Sequence, residues 1–278
     1  HTASSGMIGK TLNETFANSN KLKASKNRES NLRLGGQRGN AVEFWLKKES
    51  FSTSKTEKEV IFDLWNGQPA SSDQYGRFLI ELTASGTPFL VTLMSGTHGY
   101  QQRAIGASVS TSDFQSWHHF AFNINNTGSE SIIKFYKNGT FDEKVTVSLA
   151  SGDLGDITGS LIANIGALRT SHPTTNTTTG LGWGKLSASM DEFRYWKESR
   201  STREIGLNWK SHVGGGSNTD DPNTNLGVYY KFNEGITGGS TRDAVVLDYS
   251  GRITNGKWIG YPGSSARSTG SAFVESTH

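Results

Sequence analysis

Ser131-Ile132-Ile133-Lys134-Phe135-Tyr136-Lys137, then Asn138-Gly139, then Phe141-Asp142-Glu143-Lys144-Val145-Thr146-Val147 decides the fold class. Two runs rich in β-branched and aromatic residues flank an Asn-Gly pair. Asn-Gly accepts φ > 0 at both central positions, the geometry of the tightest antiparallel turn. The segment is therefore a β-hairpin. Upstream, Trp117-His118-His119-Phe120-Ala121-Phe122-Asn123-Ile124 reads as a strand entering the turn material Asn125-Asn126-Thr127-Gly128. Further out lie Val42 to Lys47, Val60 to Trp65 with the turn Asn66-Gly67, Arg77 to Leu82, and Phe89 to Met94. Leu161 to Leu168 and Lys185 to Trp196 complete the set. Short strands separated by Gly, Ser, Thr and Asn clusters are the pattern of an all-β sandwich. Val42 to Lys47 is mostly apolar, so it belongs to a sheet covered on both faces. The expected core is Phe44, Phe62, Leu79, Leu93, Trp117, Phe120, Ile133, Ile165 and Phe193. Truncation of a core tryptophan such as Trp117 costs about 3–5 kcal/mol.

One helix interrupts the strands. Ser201 with Glu204 three residues on forms a capping box, and Ile205, Trp209 and Val213 recur on one face. Gly214-Gly215-Gly216 is read as its stop. The composition shifts there, so the expected division is a sandwich over residues 1–213 and a β-rich extension over 214–278. In the extension, Val228 to Phe232 and Ala244 to Leu247 are strands, and the turn Asp248-Tyr249-Ser250-Gly251 follows. Tyr229, Tyr230, Phe232 and Trp258 need burial, so residues 226–278 are expected to fold back on the sandwich. The chain is also read as a piece of a longer protein.

The 278 residues include no cysteine, 33 glycines and 5 prolines. Disulfide scaffolds, thiol catalysis and zinc–thiolate sites are excluded. No apolar run approaches the length of a membrane-spanning helix, so no membrane insertion is expected. Charge is nearly balanced, at 28 basic against 25 acidic residues. Residues 1–40 hold seven basic groups against Glu14 and Glu29, but Phe16 is the one aromatic among them, too few for the interleaving that base stacking would require. Nucleic acid is not an expected partner.

Several runs, taken in order, resemble the laminin-G-like/concanavalin A-like jelly-roll family. They are Val42 to Lys47, Trp117 to Ala121, Phe135-Tyr136-Lys137-Asn138-Gly139, Ile165-Gly166-Ala167, and Met190 to Trp196 followed by Ser201 to Ile205. The resemblance covers residues 6–213 and implies two antiparallel sheets forming a jelly-roll sandwich with one short helix. Tyr230 to Gly235, Asp248 to Gly251, Asn255-Gly256 and Ala266 to Ala272 are similar to jelly-roll segments of large virion structural proteins of marine tailed phages.

Catalytic signatures are few. Retaining glycoside hydrolysis needs two carboxylates about 5–5.5 Å apart. Simple alternation would put Asp191, Phe193 and Tyr195 on one face of their strand and Met190, Glu192, Arg194 and Trp196 on the other, which separates the acids. His118 and His119 point to opposite faces and cannot chelate one ion from one side. There is no nucleophile elbow, and the triple glycine follows a helix where a phosphate loop precedes one. The Asn-x-Ser/Thr sites at Asn13, Asn125, Asn138 and Asn176 are read as products of composition.

Members of the resembled family often hold Ca²⁺ at the rim. The oxygen-bearing candidates are Asp191, Asp248 and Asn255, with Asp153 and Asp156. The other reading of the same residues is local turn capping. No other cofactor is expected. Among aromatics near loop ends, Trp65, Tyr75, Tyr100 and Trp183, the ligand-platform candidates are Trp183, Trp65 and Tyr100. Trp183, within Gly180-Leu181-Gly182-Trp183-Gly184, either stacks on a sugar or partner chain or plugs the sandwich end.

The resemblances imply a non-enzymatic structural or binding module of a phage virion. It would attach through rim loops to another virion protein or to a host-surface glycan. The second reading is a carbohydrate-binding or adhesion domain at a bacterial cell surface.

Overall fold

The computed structural model describes residues 32–35, 38–51, 58–149, 154–155, 157, 161–168, 184–213, 225–234, 244–251, 255–259 and 273–277. The strands in chain order are β1 (Asn40–Lys47), β2 (Glu59–Trp65), β3 (Gly76–Leu82), β4 (Phe89–Ser95) and β5 (His98–Ile105). Next come β6 (His118–Thr127), β7 (Glu130–Lys137), β8 (Thr140–Ser148), β9 (Ile162–Ile165) and β10 (Ser189–Trp196). Then follow α1 (Thr202–Asn208), β11 (Leu226–Tyr230), β12 (Val245–Val246), β13 (Gly256–Ile259) and β14 (Phe273–Thr277). One sheet runs β11-β10-β1-β6-β7-β8 and the other β12-β13-β14-β9-β2-β3-β4-β5, with every pairing antiparallel. The molecule is a two-sheet antiparallel jelly-roll sandwich with one short α-helix.

Alternation builds the core. Val42, Phe44 and Leu46 of β1 face Phe62, Leu64, Phe78 and Ile80 of the opposite sheet, and Phe120, Phe122, Phe135 and Phe193 join them. Burying one such side chain contributes about 1.5–3 kcal/mol. Phe89 stands at the centre, with rings of Phe114, Phe120, Phe122 and Phe135 at 5.0–5.6 Å between centroids. The β7–β8 turn is the Asn-Gly turn read from the sequence: Asn138 has φ 51° and Gly139 φ 73°. Asn138 also fastens β6, since its Oδ1 accepts the His119 N–H at 2.9 Å.

The first sheet's outer face is covered too. Glu43, on β1 between Val42 and Phe44, is fully buried beneath α1 and the segment before it. Arg200 donates to its Oε1 at 2.6 Å, His119 Nε2 lies at 3.5 Å and Arg194 at 3.7 Å. Burial alone would raise the Glu43 carboxyl, but His119, Arg200 and Arg194 outweigh it and hold the pKa at about 2.

Five expectations are corrected. Leu79 is buried on the outer face of its sheet with Val60 and Leu168, because its neighbours Phe78 and Ile80 take the inner face. Trp117 is 44% exposed, since it precedes β6 at the rim. β6 continues through Asn125 and Asn126 to Thr127, whose ladder with β7 outweighs their turn preference. The helix ends before Trp209, well short of the triple glycine. Arg194 donates to Asn208 O at 3.0 Å and Ser211 O at 2.6 Å, taking carbonyls that a longer helix would use. Strands β5, β13 and β14 had no counterpart among the expected strands. The capping box at Ser201 and Glu204 is present in both halves.

Candidate functional site

The geometry starts at a β-bulge. Between Glu43 and Trp45 the β1–β10 register slips, so three steps of β10 span two of β1. Glu192 carries the extra residue's geometry, with φ 50°. The slip reverses the alternation. Phe193 and Tyr195 are core residues, and below the bulge Met190 takes the inward position that Asp191 would otherwise hold. The simple alternation read from the sequence is thereby corrected: Asp191 and Glu192 line the same hollow.

That hollow, of about 320 Å³, lies between β1, β10 and the segment after α1. Trp45 and Trp209 form one wall, stacked at 5.5 Å with 27° between planes. Lys210 Nζ sits 4.7 Å from the centroid of the Trp209 ring. Trp209 arrives there because it is the residue after α1, one helical turn beyond the buried Ile205. The floor is ionic. Glu192 accepts from Arg194 at 2.9 Å and from the Tyr229 hydroxyl, and lies 3.1 Å from His212 Nδ1. Burial first, then the Glu192 carboxylate, push the Tyr229 phenol above its ordinary range.

A second hollow, of about 450 Å³, opens on the other side of Trp117. Leu186, Met190, Phe232 and Trp258 supply apolar walls, and Ser189, Asn233 and Glu234 polar points. The Phe232 and Trp258 rings lie 6.2 Å apart. Trp117 and Asp191 line both hollows, which therefore adjoin at these two residues, and the pair of hollows makes up the rim cleft. Asp191 accepts the Glu192 N–H at 2.8 Å. Burial, with the nearby Glu192 charge, raises its pKa above the ordinary 3.8. Exposed indole faces above convergent polar groups can bind a ligand with apolar C–H faces and a hydroxylated edge.

The candidates named from the sequence disperse. Trp183 lies outside the described residues, as do Asp153 and Asp156. Trp65 is half-buried at the end of β2, and its Nε1 donates to Gln68 O at 2.7 Å, within its own turn. Tyr100 is 7% exposed and packs in the core, which removes it as a surface platform. The cause is a bulge near Gln102, φ 50°, after which Tyr100 pairs across from the inward Leu93. Asp191 is in the cleft. Asp248 and Asn255 form a turn: Asp248 N–H donates to Asn255 Oδ1 at 2.9 Å, and Asp248 Oδ1 accepts from Tyr229 N and Ser250 N. Its Oδ2 accepts from Ser250 Oγ at 2.7 Å. Among the described residues no group of three or more His, Cys, Asp or Glu side chains gathers as a metal site.

Sequence reasoning missed Trp45, Trp209, Phe232 and Trp258 as cleft residues, and placed Trp117 in the core. Alternation along β1 does carry a signal, since Val42, Phe44 and Leu46 facing inward put Trp45 outward. The Ile205/Trp209 spacing carries another.

An all-β sandwich with a ligand-sized aromatic cleft at its rim defines the class. Residues 24–206 match the concanavalin A-like lectin/glucanases superfamily, and the chain belongs to that family. Similar solved structures include domain 4 of an extracellular arabinanase from Geobacillus stearothermophilus in complex with arabinotriose. It is 17% identical over 64% of this chain and 71% of that one, with a TM-score of 0.36. The CBM40 of the Ruminococcus gnavus IT-sialidase, bound to α2,6-sialyllactose, is 16% identical over 62% of this chain and 83% of that one, with a TM-score of 0.38. The leech intramolecular trans-sialidase is 14% identical over 66% of this chain and 25% of that one, with a TM-score of 0.39. No curated protein matches the chain.

Proposed function

We propose that the chain is a non-enzymatic carbohydrate-binding module whose ligand lies in the cleft around Trp117 and Asp191. The observation that carries this reading is the indole of Trp117, 44% exposed between two hollows with a carboxylate beside it. An exposed tryptophan gives a sugar ring a flat face for its C–H groups, while Asp191 accepts from hydroxyls at the ring edge. Glu192 supports the non-enzymatic part. Its oxygens are taken by Arg194, Tyr229 and His212, so the second carboxylate that retaining hydrolysis demands is committed to the floor. The module serves attachment, holding a phage virion to a host-surface glycan; the tail segments from Tyr230 to Gly256 support that setting through their resemblance to virion proteins.

Screening the 278-residue chain and Trp117→Ala on a glycan array tests this. Wild-type binding to a defined subset, reduced at least tenfold in Trp117→Ala with the circular dichroism unchanged, is the expected result. Equal binding by both proteins removes the cleft as the site. Release of reducing ends from a bound glycan, abolished by Asp191→Asn, would show an enzyme instead.

A further inference from the structure

The larger hollow, of about 450 Å³, brings aromatic rings and a carboxylate together. Trp117, Phe232 and Trp258 reach it from three parts of the chain: the residue before β6, the segment after β11, and β13. Leu186, Ala188 and Met190 add apolar wall. Most of the polar lining is already engaged. Lys231 Nζ lies over the rings of Tyr229 and Tyr249, at 5.3 and 4.7 Å from their centroids. Asn233 Oδ1 accepts from the Tyr249 hydroxyl at 3.3 Å, and Glu234 Oε1 accepts the Leu247 N–H at 2.9 Å.

Asp191 is different. Its Oδ1 accepts the Glu192 N–H at 2.8 Å, and among the described residues no ion pair neutralises it. Arg194 and His212, which line the neighbouring hollow, pair with Glu192 instead. Burial, and then the charge of Glu192, raise the Asp191 pKa, and a positive group beside it would oppose both effects. Within the larger hollow the described lining sets two carboxylates, Asp191 and Glu234, against one ammonium, Lys231. That ammonium is seated on two rings of its own.

A cation is held over an aromatic face by the ring quadrupole, most strongly on tryptophan and more so where water is excluded. A primary ammonium also needs acceptors for its three N–H groups. Here Asn233 and Glu234 already serve Tyr249 and Leu247. A trimethylammonium group has no N–H to satisfy and offers methyl groups to the rings. We infer that the larger hollow binds a trimethylammonium group, its methyls against Trp117, Phe232 and Trp258 and its charge opposite Asp191. The inference goes beyond the carbohydrate-binding reading: it adds a cationic ligand group where that reading needs only hydroxyls, and either can fail without the other.

Titration calorimetry and tryptophan fluorescence with four probes test the site. They are choline, tetramethylammonium, ethanolamine as the primary ammonium, and neohexyl alcohol as the uncharged isostere of choline. Choline and tetramethylammonium should bind saturably, about tenfold or more tighter than the other two. Trp258→Ala and Asp191→Asn should each weaken choline by about tenfold while circular dichroism and melting temperature hold. Asp191→Asn removes the charge at constant volume, so it stays decisive if Trp258→Ala fails to fold. Cosedimentation with phosphatidylcholine vesicles separates the sources of the group. Pelleting competed by free choline assigns a lipid headgroup, and choline binding without pelleting assigns a free solute. Equal affinity for choline and neohexyl alcohol, tighter binding of ethanolamine, unchanged affinity in Asp191→Asn, or binding of none of the probes would overturn the inference. The glycan array with Trp117→Ala decides the carbohydrate reading separately.

Discussion

Gly139 lies against the indole of Trp209 with no room for a Cβ between them. Two demands meet at this glycine. It takes φ 73° in the β7–β8 turn, and it leaves the space in which Trp209 stacks on Trp45. The hairpin that decides the fold thus also seats one wall of the cleft. Gly139→Ala should cost about 1–2 kcal/mol for the left-handed backbone alone. It should also displace Trp209 and weaken ligand binding. Trp209→Ala in the same background separates the effects: the stability loss from strain should persist, while Gly139→Ala should add no further loss of binding. Chemical denaturation and calorimetry on the two single variants and the double variant check both halves.

Glu43 sets the acid limit of stability. Its folded-state pKa of about 2 lies below the ordinary 4.5. A depressed carboxylate contributes stability that is fully present above the unfolded value and lost as pH falls through the folded one. The contribution should therefore fade between about pH 4.5 and pH 2, amounting to roughly 3 kcal/mol at neutrality. Glu43→Gln should cost about 3–5 kcal/mol at pH 7, because Arg200 and Arg194 lose their buried counter-charge. Urea melts across that interval should show the two proteins converging toward pH 2. A constant gap would mean that packing, not charge, holds Glu43.

Glu81 has the opposite sign. It is buried on β3 with Val60 and Leu90 opposite, and burial, aided by the Asp63 charge, pushes its carboxyl up to about 7 against the pull of Lys58 and Arg77. The folded protein binds the proton more tightly than the unfolded chain between about pH 4.5 and pH 7. Stability from this group falls as pH rises through that window. Glu81→Gln should gain about 1–3 kcal/mol over wild type at pH 8 and nothing at pH 4. Thermal melts at the two pH values decide; equal differences at both would assign Glu81 a compensated charge.

The sandwich was legible because its signals are local. Phe44, Phe120, Phe135 and Phe193 announce inward faces by period-two alternation, and Asn138-Gly139 fixes one hairpin by backbone chemistry alone. The cleft was legible only in pieces. Its carboxylates share a hollow because of a bulge at Glu192, and a bulge leaves no mark in an alternation pattern. Tyr100 was read as a surface platform for another reason: its strand β5 was not recognised, so an aromatic near a loop end passed for a rim residue. β5 was missed because His98-Gly99-Tyr100-Gln101-Gln102-Arg103 is too polar to look like a strand; it lies on a sheet edge, where polarity is tolerated. β14 was missed for a different reason. Glu275-Ser276-Thr277-His278 reads as a polar, turn-rich tail, yet β14 sits between β13 and β9, where neighbouring ladders supply what propensity lacks.

Trp117 gives the sharpest separation of stability from function. As a core residue its truncation would cost about 3–5 kcal/mol. At 44% exposure and outside the strand ladder, it leaves little cavity behind, and Trp117→Ala should cost about 1 kcal/mol or less. Its indole nevertheless borders both hollows, so the same substitution should remove most of the binding. Phe120, three residues on and fully buried among Phe44, Phe89 and Phe135, is the control. Phe120→Ala should destabilise by about 3–5 kcal/mol. Below its lowered melting temperature it should bind as wild type does, because it reaches neither hollow. Urea denaturation paired with ligand titration on the two variants gives four numbers. A Trp117→Ala loss as large as that of Phe120→Ala would return Trp117 to the core and take the centre out of the cleft.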